Sequence, residues 1–156
     1  MKKRALLIGI DTYQVLNPLR YARADAEAVG EALVRLCGFT ERDITLMTCG
    51  ASGALCAFSN LIEDALDDLA AEEGLDLAVF GFWGHGFRPD PKTQYLCGLE
   101  AAPQRLARDS VHLDLVRAKL AQAAAKDTLL ILDSCQNRPM RRVRQTGGEA
   151  LAPGSQ

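Results

Sequence analysis

The hydrophobic positions of this chain form four short apolar runs that are separated by stretches with helical spacing. The runs are near-continuous rather than alternating, which is typical of strands buried on both faces of a parallel sheet. They cover residues 6–10, 44–48, 77–83 and 129–133. The pattern therefore predicts four parallel strands.

Apolar residues spaced three and four apart predict three helices between these strands. The first stripe consists of Ala26, Val29, Leu33 and Leu36 with Gly38 as its C-cap, the second of Leu55, Phe58, Ile62, Leu66 and Leu69 after a turn at residues 49–53, and the third of Leu113, Val116 and Leu120, which Asp109 or Ser110 could cap. A short hairpin is expected around residues 95–99. Alternating strands and helices favour right-handed βαβ units, so the fold class is α/β, with an open, mainly parallel sheet covered by helices on both faces.

Composition and charge narrow the classes of partner. The 156 residues suffice for one domain, and 18 basic against 20 acidic side chains give a formal charge of −2. This balance provides no positive field for nucleic acid or an anionic membrane. The apolar run after the basic N-terminus stops at Asp11, too early for a signal peptide, and no run is long enough to span a membrane. We expect a soluble, cytoplasmic protein.

The five cysteines are odd in number and irregular in spacing, at positions 37, 49, 56, 97 and 135. A disulfide framework or a zinc site is therefore not expected, and most of these thiols are predicted to be buried. Residues 1–137 are predicted to form the folded domain. Residues 138–156 contain four arginines among the first seven positions and close with Pro-Gly-Ser-Gln, and they are predicted to be a flexible tail or linker.

The residues that follow the third and fourth apolar runs carry the chemistry. Ligands of open α/β sheets bind at the carboxyl ends of the strands, where Gly84-His85-Gly86 and Asp133-Ser134-Cys135 follow these two runs. An imidazole near a thiol can hold it as a thiolate, which attacks a carbonyl, and the imidazolium then protonates the leaving amine. The backbone N–H groups of Cys135 and Gly86 are candidate oxyanion donors. The sequence thus predicts a Cys135–His85 dyad.

The order of elements and these two motifs resemble the large subunit of caspase-like cysteine peptidases (peptidase C14). The resemblance covers residues 4 to about 137 and is nearer to the metacaspase and bacterial caspase-like branch than to animal caspases. The 50 residues between His85 and Cys135 fit the caspase layout, although Asp133-Ser134-Cys135 replaces the animal Gln-Ala-Cys. The resemblance implies a caspase-like three-layer α/β/α sandwich and a protein or peptide substrate.

The metacaspase resemblance also implies cleavage after Arg or Lys, with Asp133 and Asp25 as the acids of the substrate pocket. For Asp25, an exposed first-turn helix acid is an equally open interpretation. Trp83 stands where the family pattern has a pocket-facing serine, so it would narrow the pocket or stack on an arginine. Many members need calcium, but Asp90 and Asp109 alone offer few ligands, and we expect no cofactor.

The family fold continues beyond the fourth strand with a small subunit. The resemblance therefore implies such a partner, released from the same precursor by proteolytic processing or encoded separately, because the fourth strand would otherwise be a bare apolar edge. Two other functions stay open. One is a catalytically silent caspase-like domain that acts by binding, and the other is a phosphate-binding α/β domain that uses residues 50–53, for which no Walker pattern is present.

Overall fold

The structure is a computed structural model that describes residues 1–48 and 55–137, with side chains of the last strand described through residue 134. Its strands are β1 Lys3–Gly9, β2 Ile44–Thr48, β3 Leu77–Asp90, β4 Thr93–Cys97, β5 Ser110–His112 and β6 Asp127–Asn137, and its helices are α1 Ala22–Cys37, α2 Ser59–Ala71 and α3 Leu113–Gln122, with a 3-10 turn at Glu41–Asp43. The predicted turn at residues 49–53 and the predicted tail at 138–156 lie outside the described residues, and the predicted domain boundary stays a prediction.

The six strands form one mixed sheet. Four of them run parallel in the order β2-β1-β3-β6. β6 follows one edge of β3 along residues 77–87, and the other edge of β3 is shared by β1 and, further along, by the antiparallel β4. β5 then pairs with β4. The predicted α/β fold with four parallel strands is confirmed.

Alternate residues of the central strands point into two separate cores. Leu6, Phe80 and Phe82 belong to the larger core beneath α2 and α3. Leu7 and Val79 belong to the smaller one beneath α1. Both faces of β1 and β3 are thereby buried, which explains why their apolar runs are continuous. The result is the expected α/β/α sandwich.

Two strands are longer than their apolar runs predict. β3 was expected to end at Trp83 and β6 at Asp133, but they continue to Asp90 and Asn137. The polar extensions pair with each other in register, and β3 also pairs with β4. The β3–β6 hydrogen bonds join segments that are distant in the chain, so hydropathy alone does not reveal them.

The predicted helices differ from the observed ones near their ends. Gly38 caps α1 in the left-handed conformation, as predicted, but Leu36 is exposed rather than part of the buried stripe. Leu55 is exposed and precedes α2, and it makes an isolated parallel bridge to Met47. His112 caps α3, since β5 continues through that residue.

The predicted hairpin is present but lies earlier in the chain. β3 and β4 form it with a turn between Asp90 and Thr93, so Tyr95 lies within a strand instead of at the turn. Hydrogen bonds from the Thr93 side chain and the Lys92 backbone hold the pKa of Asp90 below its usual value. This carboxylate therefore organises the turn.

The expectation that most cysteines are buried is wrong for two of the described thiols. Cys97 is buried, whereas Cys37 and Cys56 are exposed. Cys37 ends α1 beside its glycine cap, and Cys56 lies in the connection that leads into α2. None of the helices in the described ranges is both long and apolar enough to cross a lipid bilayer.

Candidate active site

His85 lies in the polar extension of β3 and is 8% exposed. Its Nε2 is 2.7 Å from the backbone oxygen of Asn17. A carbonyl only accepts hydrogen bonds, so Nε2 carries the proton in the neutral ring and Nδ1 holds the lone pair. This tautomer leaves Nδ1 as the basic nitrogen.

The segment that follows β1 brings Asn17 over the histidine. A hydrogen bond of 2.8 Å from the Leu19 N–H to the Asp11 backbone oxygen joins the two ends of this segment. Within the segment, the Gln14 N–H donates to the Leu99 backbone oxygen at 3.0 Å. The Asp11 carboxylate also accepts the N–H of Arg23, which ties the segment to the first turn of α1. Backbone bonds at both ends therefore fix the carbonyl that faces His85.

Tyr13 contacts His85 twice. Its hydroxyl accepts the backbone N–H of His85 at 2.7 Å, and the two ring centroids are 4.8 Å apart at 50°. Sequence reasoning missed Tyr13 and Asn17, because both lie in a segment without hydropathic pattern. The available signal was Gly84, a residue without a side chain directly before a candidate base.

Cys135 is the register partner of His85. The β3–β6 ladder pairs these two residues at the level of the backbone. Adjacent strands lie about 4.8 Å apart, so the structure brings the backbones of the two predicted dyad residues side by side. The side chain of Cys135 lies outside the described part of the chain, and its role as nucleophile stays a prediction.

Gly86 is paired on both sides, with Leu96 of β4 and with Gln136 of β6. Its predicted role as an oxyanion donor stays a prediction. Ser134 is linked to β4 by a hydrogen bond of 3.4 Å from the Gln94 amide to the Ser134 hydroxyl. The hairpin thus reaches across the end of β3 towards β6.

The predicted pocket residues Asp133 and Trp83 occupy one rung of the same ladder, two residues before the predicted dyad. Asp133 is exposed. Trp83 is only 6% exposed and packs in the α1-side core, and a Cβ on Gly81 would be 2.5 Å from its ring. The indole is therefore core packing in this conformation, and its predicted contact with substrate stays a prediction.

Asp25 is exposed in the first turn of α1, and its N–H donates to the Tyr21 oxygen at 2.8 Å. This position fits the helix-dipole interpretation. No described contact joins it to Asp133, so the predicted pair of pocket acids stays a prediction.

The two candidate calcium ligands have other partners. Asp90 accepts hydrogen bonds within its turn, and the buried Asp109 carboxylate is 3.0 Å from the Arg105 Nε. Across residues 1–48 and 55–137, no group of three or more His, Cys, Asp or Glu side chains is arranged to hold a metal ion.

Two grooves lie along β2, away from His85. One of about 710 Å³ separates β1 and β2 from α2, and its lining includes Met47, Leu61 and Asp68. The other, of about 470 Å³, separates β2 from α1. Neither is lined by His85 or Asp133, and we attach no catalytic role to them.

Comparisons with known proteins agree with this architecture. Residues 2–154 match the family model of the caspase domain, peptidase C14. The chain is 35% identical to Metacaspase-8 of Arabidopsis thaliana over 92 residues, which are 58% of this chain and 24% of that protein. Its fold resembles the crystal structure of protein GSU0716 from Geobacter sulfurreducens, with a TM-score of 0.62 and 21% identity, over 86% of this chain and 51% of the other. The chain thus spans about a quarter of the length of the curated relative.

Proposed function

The chain belongs to the caspase domain family, peptidase C14, and we propose from this premise that it is the catalytic part of a cysteine endopeptidase. In this proposal Cys135 is the nucleophile and His85 is the base. The observation that carries it is the backbone register, which pairs these two residues across β3 and β6.

The described contacts of His85 support the proton-transfer role. With its Nε2 proton donated to Asn17, the ring presents Nδ1 as the acceptor for a thiol proton. Attack of the thiolate on a peptide carbonyl forms a carbon–sulfur bond. The amide carbon–nitrogen bond then breaks as the imidazolium gives its proton to the leaving amine, and water cleaves the resulting thioester to release the acid and restore the thiol. The backbone carbonyl stabilises the positively charged ring in between.

Substrate preference is the second part of the proposal. An exposed carboxylate at Asp133, two rungs before the predicted dyad, supports cleavage after Arg or Lys, with Asp25 as a second acid. Asp133→Asn should lower kcat/KM for Arg-ending peptides by about 10- to 100-fold, as expected for a lost charge-assisted hydrogen bond. Asp114→Asn, at an exposed acid beside His112, is the matched control. Equal losses in both variants would contradict the assignment.

A small-subunit partner is the third part. Leu129 is 44% exposed, and among the described strands β6 pairs only with β3. An apolar strand edge of this kind favours coverage by further strands. We propose that these come from a small subunit after proteolytic processing. Sedimentation of the full-length protein before and after processing tests this, and fragments that separate on cleavage would contradict it.

Selective labelling of Cys135 tests the peptidase proposal directly. The reagent is a peptidyl ketone that ends in arginine, and the protein carries Cys37→Ser and Cys56→Ser, which remove the two thiols that are exposed among the described residues. Peptide mapping should find one label per chain, at Cys135, and His85→Ala should abolish rapid labelling. A ketone ending in aspartate is the control for specificity. Absence of selective labelling would favour the catalytically silent binding domain instead.

A further inference from the structure

The end of β1 leaves a gap in the hydrogen-bond ladder of β3. β1 pairs with β3 as far as Gly9 and Trp83, and the Ile10 N–H donates to the Trp83 oxygen at 3.0 Å. Successive N–H groups of a strand face alternate neighbours, so the next donor of β3 on this side belongs to His85. Pairing with β4 on the same side begins only at Gly86. The N–H of His85 therefore falls between two partner strands.

The Tyr13 hydroxyl fills this gap. It accepts the His85 N–H at 2.7 Å in a place where Tyr13 is 7% and His85 8% exposed. A buried backbone donor needs such a partner. The tyrosine ring also lies against the imidazole, at 4.8 Å between centroids. One side chain thus contacts both the backbone and the ring of the predicted base.

Gly84 makes room for this hydroxyl. A Cβ at Gly84 would be 2.6 Å from the Tyr13 oxygen and 3.0 Å from the Phe82 ring. Any other residue at position 84 would therefore displace the hydroxyl from the His85 N–H. The glycine before the histidine is explained by packing against Tyr13.

We infer that Tyr13 is a positioning residue for His85. The segment that carries Tyr13 also carries Asn17, whose carbonyl receives the Nε2 proton. The hydroxyl fixes the histidine backbone, the tyrosine ring covers the imidazole, and the carbonyl fixes its far nitrogen. These contacts hold one tautomer in one orientation, with Nδ1 as the base. The catalytic meaning of this inference rests on the proposed function.

Tyr13→Phe removes the acceptor and keeps the ring. It should lower kcat by about 10- to 100-fold while KM stays within about threefold, because the proton-transfer geometry is loosened and substrate binding is not. Gly84→Ala should have the same effect, since its methyl group takes the place of the hydroxyl. The matched control is Tyr95→Phe, which alters a tyrosine that contacts the other histidine, His112, and should leave both constants unchanged.

The two proposals fail in different ways. If the wild-type protein cleaves peptides and Tyr13→Phe retains full kcat, the positioning role is wrong and the peptidase proposal stands. If the wild-type protein is inactive, the peptidase proposal fails, and nitrogen NMR of the His85 ring decides the inference. Tyr13→Phe should change the tautomer balance of the His85 ring, and Tyr95→Phe should not. Identical His85 spectra in both variants would overturn it.

Discussion

Two regions of this molecule combine a tyrosine, a histidine and a cysteine, and they do so with different geometry. The first contains Tyr13, His85 and Cys135 around the end of β3, and the second contains Tyr95, His112 and Cys97 in the β4–β5 ladder. In the first, the histidine and the cysteine share a rung of parallel strands. In the second, the histidine shares its rung with Tyr95, and Cys97 pairs with Ser110 two rungs away. The same residue types therefore form a candidate dyad in only one of them.

The two histidines differ most in what holds the ring. A backbone carbonyl accepts the Nε2 proton of His85, which makes Nδ1 the base. At His112 the Nδ1 instead accepts the Asp114 N–H at 3.0 Å and caps α3. A nitrogen used as a helix cap is no longer available as a base. The comparison shows that hydrogen-bond partners, rather than residue type, distinguish a catalytic candidate from a structural histidine.

The largest expected difference is between His85→Ala and His112→Ala. Loss of a general acid–base group should lower kcat/KM for an Arg-ending peptide by about 10²- to 10⁴-fold. His112→Ala should leave kcat/KM unchanged and cost about 1 kcal/mol of unfolding free energy, as loss of a helix cap does. Peptide hydrolysis and urea denaturation measure the two effects. A similar loss of activity in both variants would contradict the assignment of the first region as the active site.

Much of the first region could be predicted from the sequence, and the rest depends on non-local contacts. The apolar runs gave four strands, and the motifs after them gave His85 and Cys135, because strand order in an α/β sheet brings strand ends together. The contacts of Tyr13 and Asn17 could not be predicted, since they depend on how the chain returns over β3. Trp83 lies on the α1 side of β3 because side chains alternate along the strand and place it on the same face as Val79; its predicted contact with substrate stays a prediction.

The cysteine of the second region should be chemically inert. Burial raises the pKa of the Cys97 thiol to about 11, and a hydrogen bond with Ser110 opposes this only in part. At pH 8 roughly 0.1% of such a thiol is ionised, whereas an ordinary thiol has a pKa of about 8.5. Cys97 should therefore react with iodoacetamide at least about 100-fold more slowly than the exposed Cys37 at pH 8. The rate should rise as pH approaches 11.

Mass spectrometry of the native protein during alkylation measures both rates, and alkylation in denaturant provides the reference. Comparable native rates for Cys97 and Cys37 would mean that the second region opens readily to solvent. Protection of Cys97 would then no longer distinguish the second region from the first, in which Cys135 is the predicted nucleophile.

The smallest expected effect is on stability and involves a glycine in each region. A Cβ at Gly98 would be 2.7 Å from the Ser59 backbone nitrogen, so the start of α2 must shift to accommodate Gly98→Ala. Overpacking of this kind should cost about 1–3 kcal/mol of unfolding free energy, measured by urea denaturation. Catalysis should be retained below the unfolding transition, since the atoms nearest to a Cβ at Gly98 belong to Glu100 and Ser59. Gly84→Ala should instead lose activity even where it is fully folded. If both alanine variants lost kcat in proportion to their loss of stability, the contact between Tyr13 and His85 would be ordinary packing. The first region would then differ from the second only in the pairing of its histidine with a cysteine across two strands.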